Sequence, residues 1–353
     1  MDYILALETS CDETGIALVT RTRGGRLRLV KNLVASQIPL HAKAGGVIPP
    51  LAAREHVRAL EPLWRKLWAA PSVKPQDVIA IAVTTGPGLV PALVIGIAAA
   101  QTLAHVWRLP LLPIHHLEGH IAAAWLHTAD WQPIPVRLPV LSLVVSGGHT
   151  ELILSPRPPI FRTLGSARDD AAGEAFDKIA RLLHLPYPGG PALARLARRG
   201  NPRAITFPRP MLRSSSLDFS FAGLKTAVAR YLARHSRVKR ANLAASFQQA
   251  VIETLVGKTR QALDKFPANS LIVAGGVAAN TLLRQRLSAL PLPVIIPPPE
   301  LCTDNAAMIA AAAWWHLRRF PKRRMNFPPS PAALQPFSRL PLEDFLARAY
   351  PRC

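Results

Sequence analysis

Cysteine is scarce in this chain: Cys11, Cys302 and Cys353 are the only three in 353 residues. Three scattered thiols do not make the dense, even framework that staples small secreted domains, so a reducing, cytoplasmic setting is expected. Acids are the second shortage, 21 against 43 Lys and Arg, which leaves a formal charge of +22. The excess is mostly arginine, spread along the chain rather than confined to one tail, and it favours polyanions without naming one. Between Asp77 and Arg108 no residue carries a formal charge at all, which raises the question of a membrane span. Gly86-Pro87-Gly88 and Pro91 divide that stretch and leave fewer than the ~20 apolar residues a spanning helix needs, so no membrane is expected. The amino-terminal residues lack a basic run and quickly meet Glu8 and Asp12, so no secretory signal is expected either.

What is present fits a soluble α/β protein of more than one domain, with 49% hydrophobic and 18% charged residues and 35 prolines, about twice the usual ~5%. Residues 3–9 read as a buried strand, Ser10-Cys11-Asp12-Glu13-Thr14-Gly15 as a turn, and 16–20 and 29–36 as the next two strands. A helix over about 51–68 follows, then a strand over 78–85, the Gly86-Pro87-Gly88 loop and a helix over about 91–107. The order then recurs: strands near 141–145, 150–155 and 160–165, and later a strand over 271–274, a loop Gly275-Gly276-Val277-Ala278-Ala279-Asn280 and a helix to 290. Two copies of one lobe, with a ligand in the cleft between them, account for this repetition.

Chemistry concentrates in His115-His116-Leu117-Glu118-Gly119-His120. His116 and His120 are four apart and share a helical face, so both imidazoles can reach one ion. A third ligand must come from elsewhere, and Asp304 is the best candidate, although an acid just before an alanine-rich helix also reads as an ordinary N-cap. The turn at Thr9, Ser10 and Asp12 could hold phosphate or Mg2+, or be only a turn. The glycine loop at 86–88, between strand and helix, could present N–H groups to an anion or be a plain α/β connection.

Taken in order, Glu8-Thr9-Ser10-Cys11-Asp12-Glu13-Thr14, Gly86-Pro87-Gly88-Leu89, His116-x-x-x-His120, Ser146-Gly147-Gly148-His149-Thr150 and Asp304-Asn305 resemble the TsaD family of tRNA threonylcarbamoyladenosine transferases over about residues 3–316. The resemblance implies an actin-like, sugar-kinase-like ATPase fold built from duplicated ribonuclease-H-like lobes. Residues 1–137 would form the first lobe and 138–302 the second, with a helical insertion at about 165–268. Residues 303–320 would be a helix returning to the first lobe, and 321–353 a proline-rich basic tail with a short helix over 340–349. It implies transfer of threonylcarbamoyl from threonylcarbamoyl-adenylate to N6 of adenosine 37 in tRNAs reading codons that begin with A. It further implies that His116, His120 and Asp304 bind one divalent metal, Fe2+ or, failing that, Zn2+. Val144, Val145, Ser146, Gly147, Gly148, Asp177, Gly190 and Asn280 would bind the adenylate. Its bacterial members work with a smaller paralogous subunit and an ATPase subunit.

Three departures stand out. His115 replaces the family's usual Asn, placing a third imidazole beside the site and leaving His115 or His116 as the partner of His120, with helical phase favouring His116. Ala44 and Pro50 replace a Tyr and a Glu in the loop and helix start that follow the third strand. Asp177 also has a plainer reading, a salt bridge to Lys178 or a nearby Arg. Two rival activities compete on the same residues. A metalloprotease needs His-Glu-x-x-His, whereas Glu118 stands two residues after His116. A sugar or carboxylate kinase, or a non-catalytic nucleotide-binding subunit, would use the glycine loops but has no evident need for the His116, His120 and Asp304 set.

Overall fold

Tyr3–Glu8 (β1) is buried at every position, and that is why its sequence YILALE carries no polar alternation before the final carboxylate. The computed structural model describes residues 1–69, 73–235, 237–319 and 334–350. They fall into two units, the first holding 1–136, 157–161 and the described residues from Thr303 on, the second holding 137–156 and 162–302.

In the first unit β1 is followed by Glu13–Arg21 (β2), Leu27–Ser36 (β3), the short helix Ile38–His41 (α1), Pro49–Trp68 (α2), Val78–Gly86 (β4), Val90–Trp107 (α3), Leu111–His115 (β5), His116–Ala122 (α4) and Leu126–His127 (β6). The sheet order is β5-β4-β1-β2-β3-β6, with β1, β2 and β3 antiparallel neighbours and β4 and β5 joining in parallel. The second unit runs Val140–Val145 (β7), Thr150–Arg157 (β8), Ile160–Ser166 (β9), Ala172–Leu182 (α5), Gly189–Ala197 (α6), Ala222–Arg234 (α7), Arg240–Lys265 (α8), Ser270–Ala274 (β10), Thr281–Ser288 (α9), Val294–Ile295 (β11) and Pro299–Cys302 (α10). Its sheet order, β11-β10-β7-β8-β9, is that of the first sheet without its sixth strand. The repetition read in the sequence is therefore a repetition of topology. The helical insertion is α5 to α8, whose apolar faces meet in one core around Phe176, Phe219, Phe221 and Phe247.

Ala306–Arg319 (α11) and Leu342–Ala349 (α12) close the first unit. The alanines of α11 let it lie against β1, β2 and α4 at close range. Gly15 on β2 is what admits its first residue, since a Cβ there would stand 2.8 Å from the backbone nitrogen of Ala306. α3 is, among the described residues, one helix long and apolar enough to cross a membrane by length and composition. It starts one residue before Pro91, and its 18 residues are still short of the ~20 expected of a span. It is a helix of the sheet's core, with Leu93, Ile97, Ala100 and Ala104 packed on Leu7, Ile81 and Val83.

About half of the proline-rich tail, residues 321–333 and 351–353, lies outside the described residues. The part that is described does more than rest on the surface. Phe337, Phe345 and Ala349 form a buried cluster, and Phe337 N–H donates to Thr85 O at 3.0 Å. Gly15→Ala is expected to destabilise the protein by roughly 1–3 kcal/mol, because the atom it would strike is backbone and cannot swing aside. The midpoint of urea unfolding reads this directly.

Candidate metal centre

The centre is assembled at the ends of β1 and β5 and the start of α11, all in the first unit. β5 stops at His115, which becomes the N-cap of α4. Its Nδ1 accepts from Leu117 N–H at 3.2 Å, and its Nε2 lies 2.9 Å from Leu340 O. Its ring also packs on Phe337 and Phe345, with centroids 5.8 Å and 5.4 Å away. Both nitrogens of the third imidazole are thus committed to holding a helix start and a tail segment. His116, not His115, lies with His120 and Asp304 in the group of side chains that could hold an ion.

One turn on, the His116 and His120 rings are 4.7 Å apart, and Asp304 Oδ1 sits 3.5 Å from His116 Nε2 and 3.3 Å from His120 Nε2. The N-cap reading of Asp304 is taken up by its neighbour, since Asn305 Oδ1 accepts from Met308 N–H at 3.0 Å. Asp304 is thereby left to face the histidines. His120 is fully buried, its Nε2 meets the Asp304 carboxylate only in a long contact, and its Nδ1 has no hydrogen-bond partner among the described residues, an arrangement that costs free energy unless something else occupies a lone pair. Two imidazole nitrogens and a carboxylate oxygen, all within 4.8 Å of one another, are the donor set of a divalent transition metal. The residues fit the ion.

Glu8 is the member of the site to which sequence reasoning gave no role. It is fully buried at the end of β1, with Oε2 3.2 Å from His116 Nδ1, and it accepts from Thr84 Oγ1 and from Ser10 N–H, both at 2.6 Å. A carboxylate on Nδ1 fixes the ring and directs Nε2 outward, the arrangement common around metal-bound histidine. Electrostatics follow from this crowding. Burial disfavours a charged His116, but Asp304 and Glu8 outweigh it and push the imidazole up to about 10. Burial likewise works against ionised Asp304, and the two histidines overcome it, holding the carboxyl well below the usual range. His120 moves the other way, held down by burial. Glu13, half-buried, is pushed up to about 9 by desolvation and by the nearby Asp304 and Asp12 carboxylates.

Several nearby motifs turn out to be scaffolding. A Cβ on Gly88 would lie 2.6 Å from Ser10 O, which also accepts from Leu89 N–H at 2.8 Å, so the 86–88 loop braces the Ser10 turn. The Thr9 hydroxyl donates to Ala92 O at 3.0 Å. His56 of α2, whose purpose was not evident from sequence, lies 3.1 Å from Cys11 O and 2.8 Å from the Thr14 hydroxyl, and so fixes the same turn. Glu118, the residue that invites a protease reading, is buried and faces His316, with Oε1 2.8 Å from its Nε2. It is not positioned as a base on water at the metal.

In the second unit, Val144 and Val145 end β7, and Ser146 to His149 form the turn into β8, closed by a bond from Ser146 N–H to His149 O at 2.8 Å. Among the described residues no atom lies within 4 Å of where a Cβ on Gly147 or Gly148 would stand, so the backbone there is open to a close approach. Lys178 binds Asp170 and Glu174, and Asp177 Oδ1 accepts from Gly189 and Gly190 N–H at 2.8 and 3.2 Å, anchoring the start of α6. Asn280 caps α9 through Leu282 and Leu283 N–H, and its amide donates to Gln248 Oε1 at 2.9 Å.

A family model described as tRNA N6-adenosine threonylcarbamoyltransferase, TsaD, matches residues 28–311. The chain belongs to that family. The tRNA N6-adenosine threonylcarbamoyltransferase of Moorella thermoacetica is 53% identical over 326 residues, covering 90% of this chain and 92% of the relative. That of Thermomicrobium roseum is 47% identical over 341 residues, with the same coverage of each. Among solved structures, HypF in its phosphate- and nucleotide-bound form aligns at a TM-score of 0.59 and 12% identity, over 91% of this chain and 47% of that one. Component A of the Acidaminococcus fermentans (R)-2-hydroxyglutaryl-CoA dehydratase aligns at 0.50 and 15%, over 89% and 100%. At such identities the likeness carries the fold, an actin-like ATPase fold, while the family carries the class of enzyme, a transferase of tRNA modification.

His115→Ala, which loses a cap acceptor and the contact to Leu340, is expected to cost about 1–3 kcal/mol in chemical denaturation, whereas His115→Asn, keeping a good capping side chain, costs less. Metal content, read by elemental analysis, should be the same in both and in the parent.

Proposed function

We propose that this chain transfers the threonylcarbamoyl group of threonylcarbamoyl-adenylate to N6 of adenosine 37 in tRNAs that read codons beginning with A, with a divalent ion held by His116, His120 and Asp304. The reading is carried by one observation: in a chain of this family, two buried imidazoles and a carboxylate converge, with all three donor atoms within 4.8 Å of one another. In the reaction N6 forms a bond to the carbamoyl carbon, the bond from that carbon to the phosphate oxygen breaks, AMP leaves and N6 gives up a proton. When bound, the ion, Fe2+ or Zn2+, supplies Lewis acidity toward the donor's oxygens.

The chain's own residues do the rest. Glu8, itself held by Thr84 and Ser10, keeps the His116 ring aimed at Asp304. Val144, Val145, Ser146, Gly147 and Gly148 are assigned to the adenylate from the family's motif, and the open space beside Gly147 and Gly148 supports the assignment by allowing a phosphate to approach the backbone closely. Asp177, Gly190 and Asn280 are assigned to the same ligand, Asp177 acting through the Gly189 and Gly190 backbone it holds. A smaller paralogous subunit and an ATPase subunit are the proposed partners, tRNA the acceptor, and the cytoplasm the setting. A kinase of the same fold remains the second reading, and acceptor phosphorylation without tRNA would favour it. Nucleoside mass spectrometry after incubating the protein, its partners, tRNA and threonylcarbamoyl-adenylate tests the proposal. N6-threonylcarbamoyladenosine should appear, and its absence would sink the reading.

His116→Ala, His120→Ala and Asp304→Ala should each lower metal occupancy and transfer together, by more than about tenfold. A proton held on His116 up to about pH 10 must leave before its Nε2 can bind metal, so affinity should fall by about tenfold for each unit the pH drops below that value, with about one proton released per ion in unbuffered titration. Gly148→Val should abolish adenylate binding in equilibrium dialysis without lowering the melting temperature, since the space its side chain enters is empty of protein.

A further inference from the structure

The positive charge is concentrated on the helical insertion. Residues 181–240 hold thirteen Lys and Arg against a single acid, Asp218, and that acid is paired with Arg168 at 2.7 Å. Within this stretch the end of α6 and the start of α8 are locked together. A Cβ on Gly200 would strike Ala241 O, and Asn201 N–H donates to Asn242 Oδ1 at 2.9 Å. That contact gathers Arg198, Arg199 and Arg203 with Lys239 and Arg240, all exposed. Cations at the start of α8 oppose its dipole, and no acid in its first turn relieves them, so the fold gains nothing from their placement. Beside them, between α6, α8 and α9, opens a groove of about 350 Å³ lined by Arg198, Arg286, Gln248, Gln249 and Gln285 and bordered by Asn280. Arginines with amide side chains are the equipment for phosphate and for the edges of unpaired bases.

We propose that this face of the second unit is the docking surface for the RNA substrate, its phosphodiester backbone crossing Arg199, Lys239 and Arg240 and an unpaired nucleotide entering the groove beside Asn280. The proposal rests on the tRNA-modifying function proposed above and locates where the acceptor is held. Three exposed cations engaging three phosphates account for a salt slope of about 2–3 in log affinity against log salt.

The test compares R199E/K239E/R240E, its milder form R199Q/K239Q/R240Q, and a control of equal charge change on the first unit, R23E/R26E/R28E, in fluorescence-anisotropy titrations with tRNA from 50 to 200 mM salt. The insertion variants should bind more than about tenfold more weakly, with the slope reduced by about 2–3 for the reversal, while the control binds like the parent. Metal content and adenylate binding should be unchanged in all three, which also certifies their folding. Equal weakening by the control would overturn the proposal in favour of undirected charge attraction. Unchanged tRNA affinity in the insertion variants would overturn it too, leaving the face to an acidic protein. A parent chain that binds no tRNA would instead overturn the functional reading itself.

Discussion

The first unit is organised around a buried charge problem. A histidine placed between two carboxylates, Glu8 at one ring nitrogen and Asp304 at the other, is a costly thing to bury unless each charge is answered. Everything nearby answers it. Thr84 and Ser10 satisfy Glu8, Asn305 relieves Asp304 of capping, and β5 and α4 meet at His115 so that His116 enters the site on the first residue of a helix. His120, pressed toward the neutral form by burial, brings a lone pair rather than a second positive charge. With one proton on His116 the cluster keeps one net negative charge, which a divalent cation in that proton's place would cancel.

This constraint explains why the carboxyl-terminal segment is part of the first unit. Asp304 lies 184 residues beyond His120, so α11 must return to β1, β2 and α4, and it can do so only because Gly15 and the alanines of the helix permit close approach. Residues 334–350 then lie over His115, with Leu340 O 2.9 Å from its Nε2 and Phe337 and Phe345 against its ring. The Glu118 and His316 pair ties α4 to α11 from the opposite side of the histidine helix. The carboxylate that resembles a protease base is instead part of what holds the two halves of the site together.

Much of this was legible in the residues. The i, i+4 spacing of His116 and His120 marked one helical face, and the recurrence of strand, turn, strand and glycine loop marked the duplicated topology, because both are local patterns. Glu8 escaped because its partner is 108 residues away, although a carboxylate ending an otherwise wholly apolar strand is a sign that something must compensate it. The backbone partners of Asp177 were not legible because they open a helix twelve residues on. His56 was silent for the same reason, its contacts being to Cys11 and Thr14 across the sheet. The clustering of cations in the insertion, by contrast, was countable, and a charge reading that asked only whether one tail was basic passed over it.

Whether the buried charges exist to hold an ion is decided most directly by anomalous scattering from crystals grown with Fe2+ or Zn2+. The account predicts a single strong peak at ligand distance, about 2.0–2.2 Å, from His116 Nε2, His120 Nε2 and a carboxylate oxygen of Asp304, with His115 still bonded to Leu340. A peak liganded by His115, or no peak at these three residues in protein that still modifies tRNA, would contradict it.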